Sequence, residues 1–155
     1  MSFDRGLTLQ FLIYERRAMD LSSSIYTSES GMKAQAMRMK IVAQNIANQN
    51  STATKFGEQP YRRKTIFFES IKNNDLNIEM VRVSKIGRDR SGFNMKFEPS
   101  HPSADANGYV LYPNVNNVIE IADGREAGLF YEANLAALTN ARNMINQTLE
   151  ILNRK

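Results

Sequence analysis

Acid–base or metal chemistry in this chain would have to come from one short segment around its single histidine. His101 lies between Ser100 and Pro102, with Ser103 and Asp105 close behind. The partners of a serine–histidine–aspartate triad meet through the fold and not through adjacency in sequence, so this spacing does not indicate a triad. One histidine and no cysteine also leave too few ligands for a multi-histidine or thiolate metal site. We therefore expect that the chain is not an enzyme and that it binds neither a metal ion nor a cofactor.

A second distinctive run combines basic and aromatic residues. Arg62, Arg63 and Lys64 lie between Tyr61 and Phe67, a composition found in platforms that bind single-stranded nucleic acids. A half-exposed strand has the same composition, and no glycine-rich phosphate loop or RNA-recognition motif accompanies the run. A small basic nucleic-acid-binding protein is therefore the alternative hypothesis, and the main hypothesis has no nucleic-acid partner.

Length and composition bound the fold. A chain of 155 residues suits one domain, and its hydrophobic share of 42% predicts a modest core. The net charge of +4 comes from a basic excess in residues 55–98, mixed with acidic residues, which is typical of a solvated or protein-contact surface. The absence of cysteine excludes a disulfide scaffold and an iron–sulfur cluster, and it is compatible with an oxidising compartment.

The N-terminal apolar run is too short to cross a bilayer. Residues 7–14 contain Gln10 and are followed by Glu15, and no run approaches the ~18 apolar residues that a membrane span requires. Arg5 precedes the run as in a secretory signal, but no small-residue cleavage site is in place. The sequence predicts neither a signal peptide nor membrane insertion.

Two helical segments flank a β-rich middle. Helical periodicity covers residues 21–50, with an N-cap among the serines at 22–24, and it returns from about Asn114, a second N-cap candidate, to the C-terminus. Gly124 and Gly128 allow a kink in the second helix. Between the helices, β-prone runs predict strands at 61–69, 78–86, 93–98 and 109–112.

The apolar side chains of both helices recur as coiled-coil seams do, every seven residues or at alternating spacings of three and four. In the second helix a further line, Phe130, Ala137, Met144 and Ile151, widens the seam. Either a compact α+β domain uses these faces internally, or the helices bury their second faces against other copies; the width of the stripes favours the latter. The candidate interface residues are Ile25, Met32, Met39, Val42, Asn45, Ile46, Asn48, Tyr131, Asn134, Leu138, Ala141, Ile145 and Leu152.

Three of these candidates are amides next to apolar seams. Asn45 and Asn48 can set helix register, or they can simply belong to a helix C-terminus and the following turn. Asn134 occupies a seam position, so a register role is favoured for it. We expect Asn134→Leu to fold but to assemble poorly.

Three segments carry a resemblance to a known family. Residues 30–51 (SGMKAQAMRMKIVAQNIANQNS) resemble the N-terminal signature of bacterial flagellar rod, hook and filament-joining proteins. Residues 98–115 (EPSHPSADANGYVLYPNV) resemble a stretch peculiar to the proximal rod subunits, and 131–134 with the following helix resemble the C-terminal signature. The resemblance implies an α+β fold in which N- and C-terminal helices pair as a coiled-coil-like stem beside a small β-rich middle domain.

The resemblance also implies a function, partners and a location. We expect a structural subunit of the flagellar proximal rod that polymerises through its terminal helices into a helical drive shaft. Its partners would be further copies, other rod subunits and the flagellar type III export apparatus. Its location would be the periplasm-spanning basal-body rod, reached without a cleaved signal. The expected segments are a non-family extension at 1–18, the N-terminal stem helix and turn at 19–54, the middle domain at 55–113 and the C-terminal stem helix at 114–155.

Overall fold

Long helices form at both ends of the chain because neither contains a helix-breaking proline. All four prolines lie between them. The computed structural model describes residues 5–74 and 77–153, with side chains described from Leu21 onward. The elements are α1 (Arg5–Ala47), β1 (Lys64–Asn73), β2 (Ile78–Arg88), β3 (Asn94–Phe97), β4 (Tyr109–Tyr112) and α2 (Asn117–Asn153). The α+β class that the sequence predicts is confirmed.

Helix α1 is longer at its start than its periodicity predicts. It begins at Arg5, so the predicted N-cap among the serines at 22–24 is wrong, and these serines lie inside the helix. The preceding residues include Leu, Gln, Glu, Arg and Ala, which favour helix even without a regular apolar stripe. Residues 1–4 and the side chains of 5–20 lie outside the described structure, and the expected extension at 1–18 falls on them.

Helix α2 begins at Asn117, directly after its capping residue. Asn116 Oδ1 accepts hydrogen bonds from the backbone N–H groups of Val118 (3.0 Å) and Ile119 (3.3 Å), which is the geometry of an N-cap. The predicted cap at Asn114 is therefore wrong, because its Oδ1 accepts from the backbone N–H of Arg63 instead (2.9 Å). The helix continues without interruption through both of its glycines.

The four strands form two separate two-stranded sheets, β1–β2 and β3–β4. In the second sheet β3 and β4 are antiparallel, with Met95 opposite Leu111 and Phe97 opposite Tyr109. The predicted bounds hold for β4 and shift by up to four residues elsewhere. Strand β1 begins only at Lys64 because the preceding backbone bonds to other segments, including Tyr61 N–H to the carbonyl of Ser51.

The described residues divide into two compact units. The outer unit, so named only because it contains the two ends of the chain, combines 5–33, 70–82 without the undescribed pair 75–76, and 130–153. Its buried side chains include Ser28, Ile78, Leu138 and Ala141. The inner unit, named for the central part of the sequence, combines 34–69 with 83–129. Its buried apolar side chains are Ala34, Ile41, Val42, Val110, Val115 and Ala127.

Candidate assembly surfaces

Asn45 lies at a buried junction of three segments in the inner unit, and the residue is 1% exposed. Its Nδ2 donates to the carbonyl of Lys64 (2.9 Å) and to Glu120 Oε2 (3.0 Å). Its Oδ1 accepts from the Tyr61 hydroxyl (2.8 Å) and from the Lys64 backbone N–H (2.9 Å). All the hydrogen-bonding capacity of the amide is therefore used, and one side chain ties α1 to the start of β1 and to α2.

Glu120 brings a full charge into the same junction. Its side chain is 1% exposed, and Arg63 Nε donates to its Oε1 at 2.5 Å. Arg63 Nη2 also contacts Asp123 Oδ2 at 3.3 Å. A buried carboxylate without such a partner would be strongly destabilising. The junction is thus satisfied only when α1, β1 and α2 stand in one relative register.

The surroundings of the junction shift the pKa values of two titratable groups, Tyr61 and Asp89. Burial, together with the nearby Glu120 carboxylate, raises the pKa of Tyr61 above its ordinary value. Hydrogen bonds from the backbone and hydroxyl of Ser91 hold the pKa of Asp89 below its ordinary value, with a smaller contribution from Arg63. Tyr61 therefore stays a neutral donor to Asn45, and Asp89 stays ionised beside the basic run.

The basic and aromatic run is engaged by the inner unit itself. The Arg62 guanidinium lies 4.1 Å from the ring centroid of Phe93 and donates to the carbonyls of Asp89 and Ser91, both at 3.0 Å. Lys64 Nζ donates to Gln44 Oε1 (2.9 Å). These cations are committed to protein groups, which leaves the nucleic-acid alternative unsupported.

Further along α1, contacts with α2 continue within the inner unit. Arg38 Nη2 reaches Glu126 Oε2 at 2.7 Å and Asp123 Oδ1 at 3.3 Å. Val42 packs at Gly124, where a Cβ would come within 3.3 Å of the valine Cγ1. Gly124 lowers the helix propensity of α2, but its lack of a side chain lets the two helices approach closely here.

In the outer unit the two helices approach most closely at Gly31. A Cβ built there would lie 2.8 Å from Asn134 Oδ1, closer than a side chain tolerates. Asn134 Nδ2 in turn donates to the carbonyl of Phe130 (2.8 Å). The same stretch of α1 contacts β2, because Ser30 Oγ accepts from the Val81 backbone N–H (3.1 Å) and Thr27 Oγ1 donates to the carbonyl of Glu79 (3.1 Å).

Next to the packed face of α2 lies an apolar line that the chain leaves exposed. Phe130 is 50%, Met144 48% and Ile151 72% exposed, and Ala137 in the same seven-residue series is exposed too. Exposed apolar side chains that recur every seven residues along a helix are typical of a surface that packs against a second helix.

His101 has a structural role in a loop. Its Nδ1 accepts from the Ser103 backbone N–H (3.2 Å), so Nε2 carries the hydrogen and donates to Thr52 Oγ1 (3.2 Å). The imidazole thereby links the loop after α1 to the loop after β3. Within the described residues, no group of three or more histidine, aspartate or glutamate side chains is placed to hold a metal ion.

Comparison with known proteins connects these surfaces to a family. Residues 25–53 match the family model described as "Flagella basal body rod protein". The flagellar basal-body rod protein FlgC of Agrobacterium fabrum is 42% identical, over 85% of this chain and 95% of that protein. The FlgC proteins of Borreliella burgdorferi and Bacillus subtilis are 37% and 38% identical, over 86% and 83% of this chain and 99% and 95% of theirs. The chain belongs to the FlgC family of flagellar basal-body rod proteins.

Membership of the FlgC family makes the chain a structural subunit of the flagellar basal-body rod. Its relatives are structural rod proteins, and assembly with other rod components follows from that role. In the part of the chain that the structure describes, no helix is both long and apolar enough to cross a membrane.

The candidate interface residues of this FlgC-family chain fall into three groups by exposure. Val42, Asn45, Leu138 and Ala141 are buried, and Leu152 is exposed. The half-buried group comprises Ile25, Met32, Met39, Ile46, Asn48, Tyr131, Asn134 and Ile145. The structure brings Asn134 to α1, and it places Asn48 in the turn after α1, where Nδ2 donates to the Gln44 carbonyl (2.8 Å).

Two of the α1 residues that meet α2, Gly31 and Arg38, are absent from the candidates that the sequence predicts. Gly31 and Arg38, together with Val42 and Asn45, lie on one face with spacings of seven, four and three residues, which is coiled-coil-like spacing. Most of that face is polar or small, so a search for apolar periodicity does not find it. Gly31, an isolated glycine inside a helical pattern, is the one available signal of close packing among them. Glu120, the buried charge, gave no signal at all.

Proposed function

We propose that the chain polymerises through its terminal helices as a subunit of the proximal rod, with further copies and other rod subunits as its neighbours. The observation that carries this proposal is the exposed seven-residue line Phe130, Ala137, Met144 and Ile151 on α2. A heptad line beside an already packed face is what a helix needs to engage a second helix. In this proposal α1 and α2 pair as a stem, and the exposed line joins stems of neighbouring subunits.

The energetics favour assembly through exposed apolar helix faces. Burying one Phe, Met or Ile side chain contributes about 1.5–3 kcal/mol, so several such contacts per subunit make assembly favourable. A contact between two different surfaces of identical or related subunits propagates as an open helix rather than closing as a dimer. The candidate interface residues, from Ile25 on α1 to Leu152 on α2, divide in this proposal between pairing within the stem and contact with neighbours.

The remaining parts of the proposal concern export and location. We propose that the flagellar type III apparatus exports the chain without a cleaved signal into the periplasm-spanning rod. A modest core and the absence of cysteine support passage in an unfolded state. The role is structural rather than catalytic, as the engagement of His101 by Thr52 and Ser103 supports. The stem is assigned to 19–54 and 114–155, the middle domain to 55–113, and 1–18 to an extension.

The test introduces charge into the exposed line. Met144→Glu places a carboxylate where a neighbour's helix would pack, so the buried charge should prevent rod completion. Asn146→Glu adds the same charge two residues away, at an exposed polar position on a different side of the same helix, and should leave assembly intact. Each variant is expressed in a strain lacking the chain's gene, and swimming and rods in isolated basal bodies are scored.

The outcomes separate cleanly. Wild-type chain and Asn146→Glu should restore rods, whereas Met144→Glu should accumulate as unassembled subunit. Complete rods with Met144→Glu would show that the exposed line is not a subunit contact. Failure of the wild-type chain to restore any rod would remove the proposed function itself.

A further inference from the structure

One face of the β3–β4 sheet presents an apolar patch that no described part of the chain covers. Residues opposite each other, and alternate residues along a strand, share a face of an antiparallel sheet. The register therefore places Met95, Phe97, Tyr109 and Leu111 together on one face. They are 68%, 64%, 46% and 41% exposed, whereas Val110, on the opposite face, is fully buried.

The patch is held in a fixed shape. The rings of Phe97 and Tyr109 meet edge to face with centroids 5.4 Å apart. Gly108 adopts a positive φ of 82°, and a Cβ there would come within 2.8 Å of Phe97 Cε2, so the ring lies directly over the glycine. A pre-ordered aromatic surface loses little conformational entropy when it binds.

The same inner unit carries a second exposed apolar surface, on the solvent side of α2. A shallow groove of about 450 Å³ is lined by Val118, Ile121, Ala122 and Leu129 together with Arg125 and Glu126. Val118 and Leu129 are 76% and 69% exposed. The groove is distinct from the exposed line of the proposed stem contact, which begins at Phe130.

We propose that the hairpin face of one copy seats in the α2 groove of the next copy. The exposed hairpin side chains amount to about 400 Å², roughly half of the ~800 Å² that each partner gives to a stable interface of standard size. Such a patch is too small for an independent dimer and is suited to a contact that acts beside others. Because hairpin face and groove are different surfaces of one unit, their pairing propagates head to tail. The inference rests on the proposed function and names a second contact for it.

The absence of native cysteine makes cross-linking the test. Met95→Cys and Leu129→Cys are introduced together, rods are isolated from a complemented deletion strain, and a short bis-maleimide is applied. We expect a ladder of cross-linked chains from the double variant and none from either single variant. Met95→Cys combined with Lys40→Cys, an exposed position on α1, should give no ladder. Leu111→Cys with Val118→Cys is a second pair in case the first disturbs assembly.

A further substitution tests the patch itself. Phe97→Ala in the cross-linking pair should lower the ladder yield by about tenfold, because one buried aromatic contact is lost. Phe56→Ala removes a similar ring that is 68% exposed outside both surfaces, and it should leave the yield unchanged.

Each other result overturns the inference. A dimer from Met95→Cys alone would mean that hairpin faces pair with each other. A conjugate with a chain of different mass would assign the hairpin face to another rod subunit. Complete rods without a ladder from either pair would exclude the contact and leave the proposed function standing, whereas absence of rods with wild-type chain would refute the proposed function.

Discussion

Asn45 shows at the scale of single residues how a polar group can specify packing between apolar elements. Its amide bonds to the backbone of Lys64 and to the side chains of Tyr61 and Glu120. An apolar residue of the same size would pack in the space but would leave those partners unsatisfied. Because buried unpaired groups are more costly than a hydrogen bond is favourable, the amide selects one arrangement of three segments.

Replacing that amide should be unusually destabilising. We expect Asn45→Ala to lower the free energy of unfolding by about 3 kcal/mol, since several buried partners lose their bonds together. Asn48→Ala is the matched control. Its half-buried amide bonds the Gln44 carbonyl and Ser51 hydroxyl, and we expect a loss of about 1 kcal/mol. Urea unfolding of the purified variants, followed by circular dichroism, measures both, and equal losses would contradict the junction role of Asn45.

At the same scale, residue type alone indicated two of the important amides. Asn45 and Asn134 stand out in sequence because they interrupt apolar stripes. Their partners do not stand out, since Glu120 and Gly31 are far away in the chain and ordinary in type. Two residues that are distant in sequence and come into contact only in the folded chain leave no local sequence pattern that marks them as partners.

At the scale of elements, the approach of α1 and α2 in the outer unit depends on a missing side chain. Glycine inside a helix normally costs about 1 kcal/mol relative to alanine. At Gly31 the space that a methyl group would need is occupied by the Asn134 amide. The low helix propensity of Gly31 is therefore offset by a close contact between the helices. Helix propensity alone does not reveal that contact.

A double-mutant series tests this contact. Gly31→Ala should destabilise the chain by about 1–2 kcal/mol through overpacking, although alanine is the better helix former. Adding Asn134→Ala opens the space, so in that background Gly31→Ala should become neutral or stabilising. Gly128→Ala is the control, because nothing lies within 4 Å of a Cβ there, and it should stabilise by about 1 kcal/mol.

Thermal unfolding of the four chains gives the coupling between the two positions. If Gly31→Ala were stabilising in the wild-type background, as Gly128→Ala is expected to be, the close approach would carry no energy. The same measurement bears on Asn134→Leu, which should fold because leucine matches asparagine in shape, and should then fail at rod completion if the amide sets register.

At the scale of the whole molecule, the two units differ in how much they bury. The inner unit encloses Ile41, Val42 and Val110 together with the Asn45 junction. The described part of the outer unit buries mainly Ile78, Leu138 and Ala141, and its C-terminal helix exposes large apolar side chains. Stability should therefore be uneven along the chain, because local opening follows the number of buried contacts.

Hydrogen exchange should display this difference in the isolated subunit. We expect the amides of residues 130–153 to exchange faster than those of 34–47, and to gain at least about tenfold protection on assembly. Exchange mass spectrometry on free chain and on isolated rods compares the two states. Equal protection of both segments in the free chain, or no gain on assembly, would contradict the prediction that neighbouring subunits stabilise the C-terminal part of α2.

The sequence by itself determined the α+β class, the two terminal helices, most strand positions and the family, because periodicity, turn residues and signature segments are local properties of the chain. It also marked Asn45, although it left open whether the amide serves register or a helix end. Tertiary structure decided which face of α1 meets α2, which basic side chains are engaged and where Asn114 bonds. These depend on groups brought together across as many as 103 residues, as Gly31 and Asn134 are, and no local pattern encodes a partner that only folding supplies.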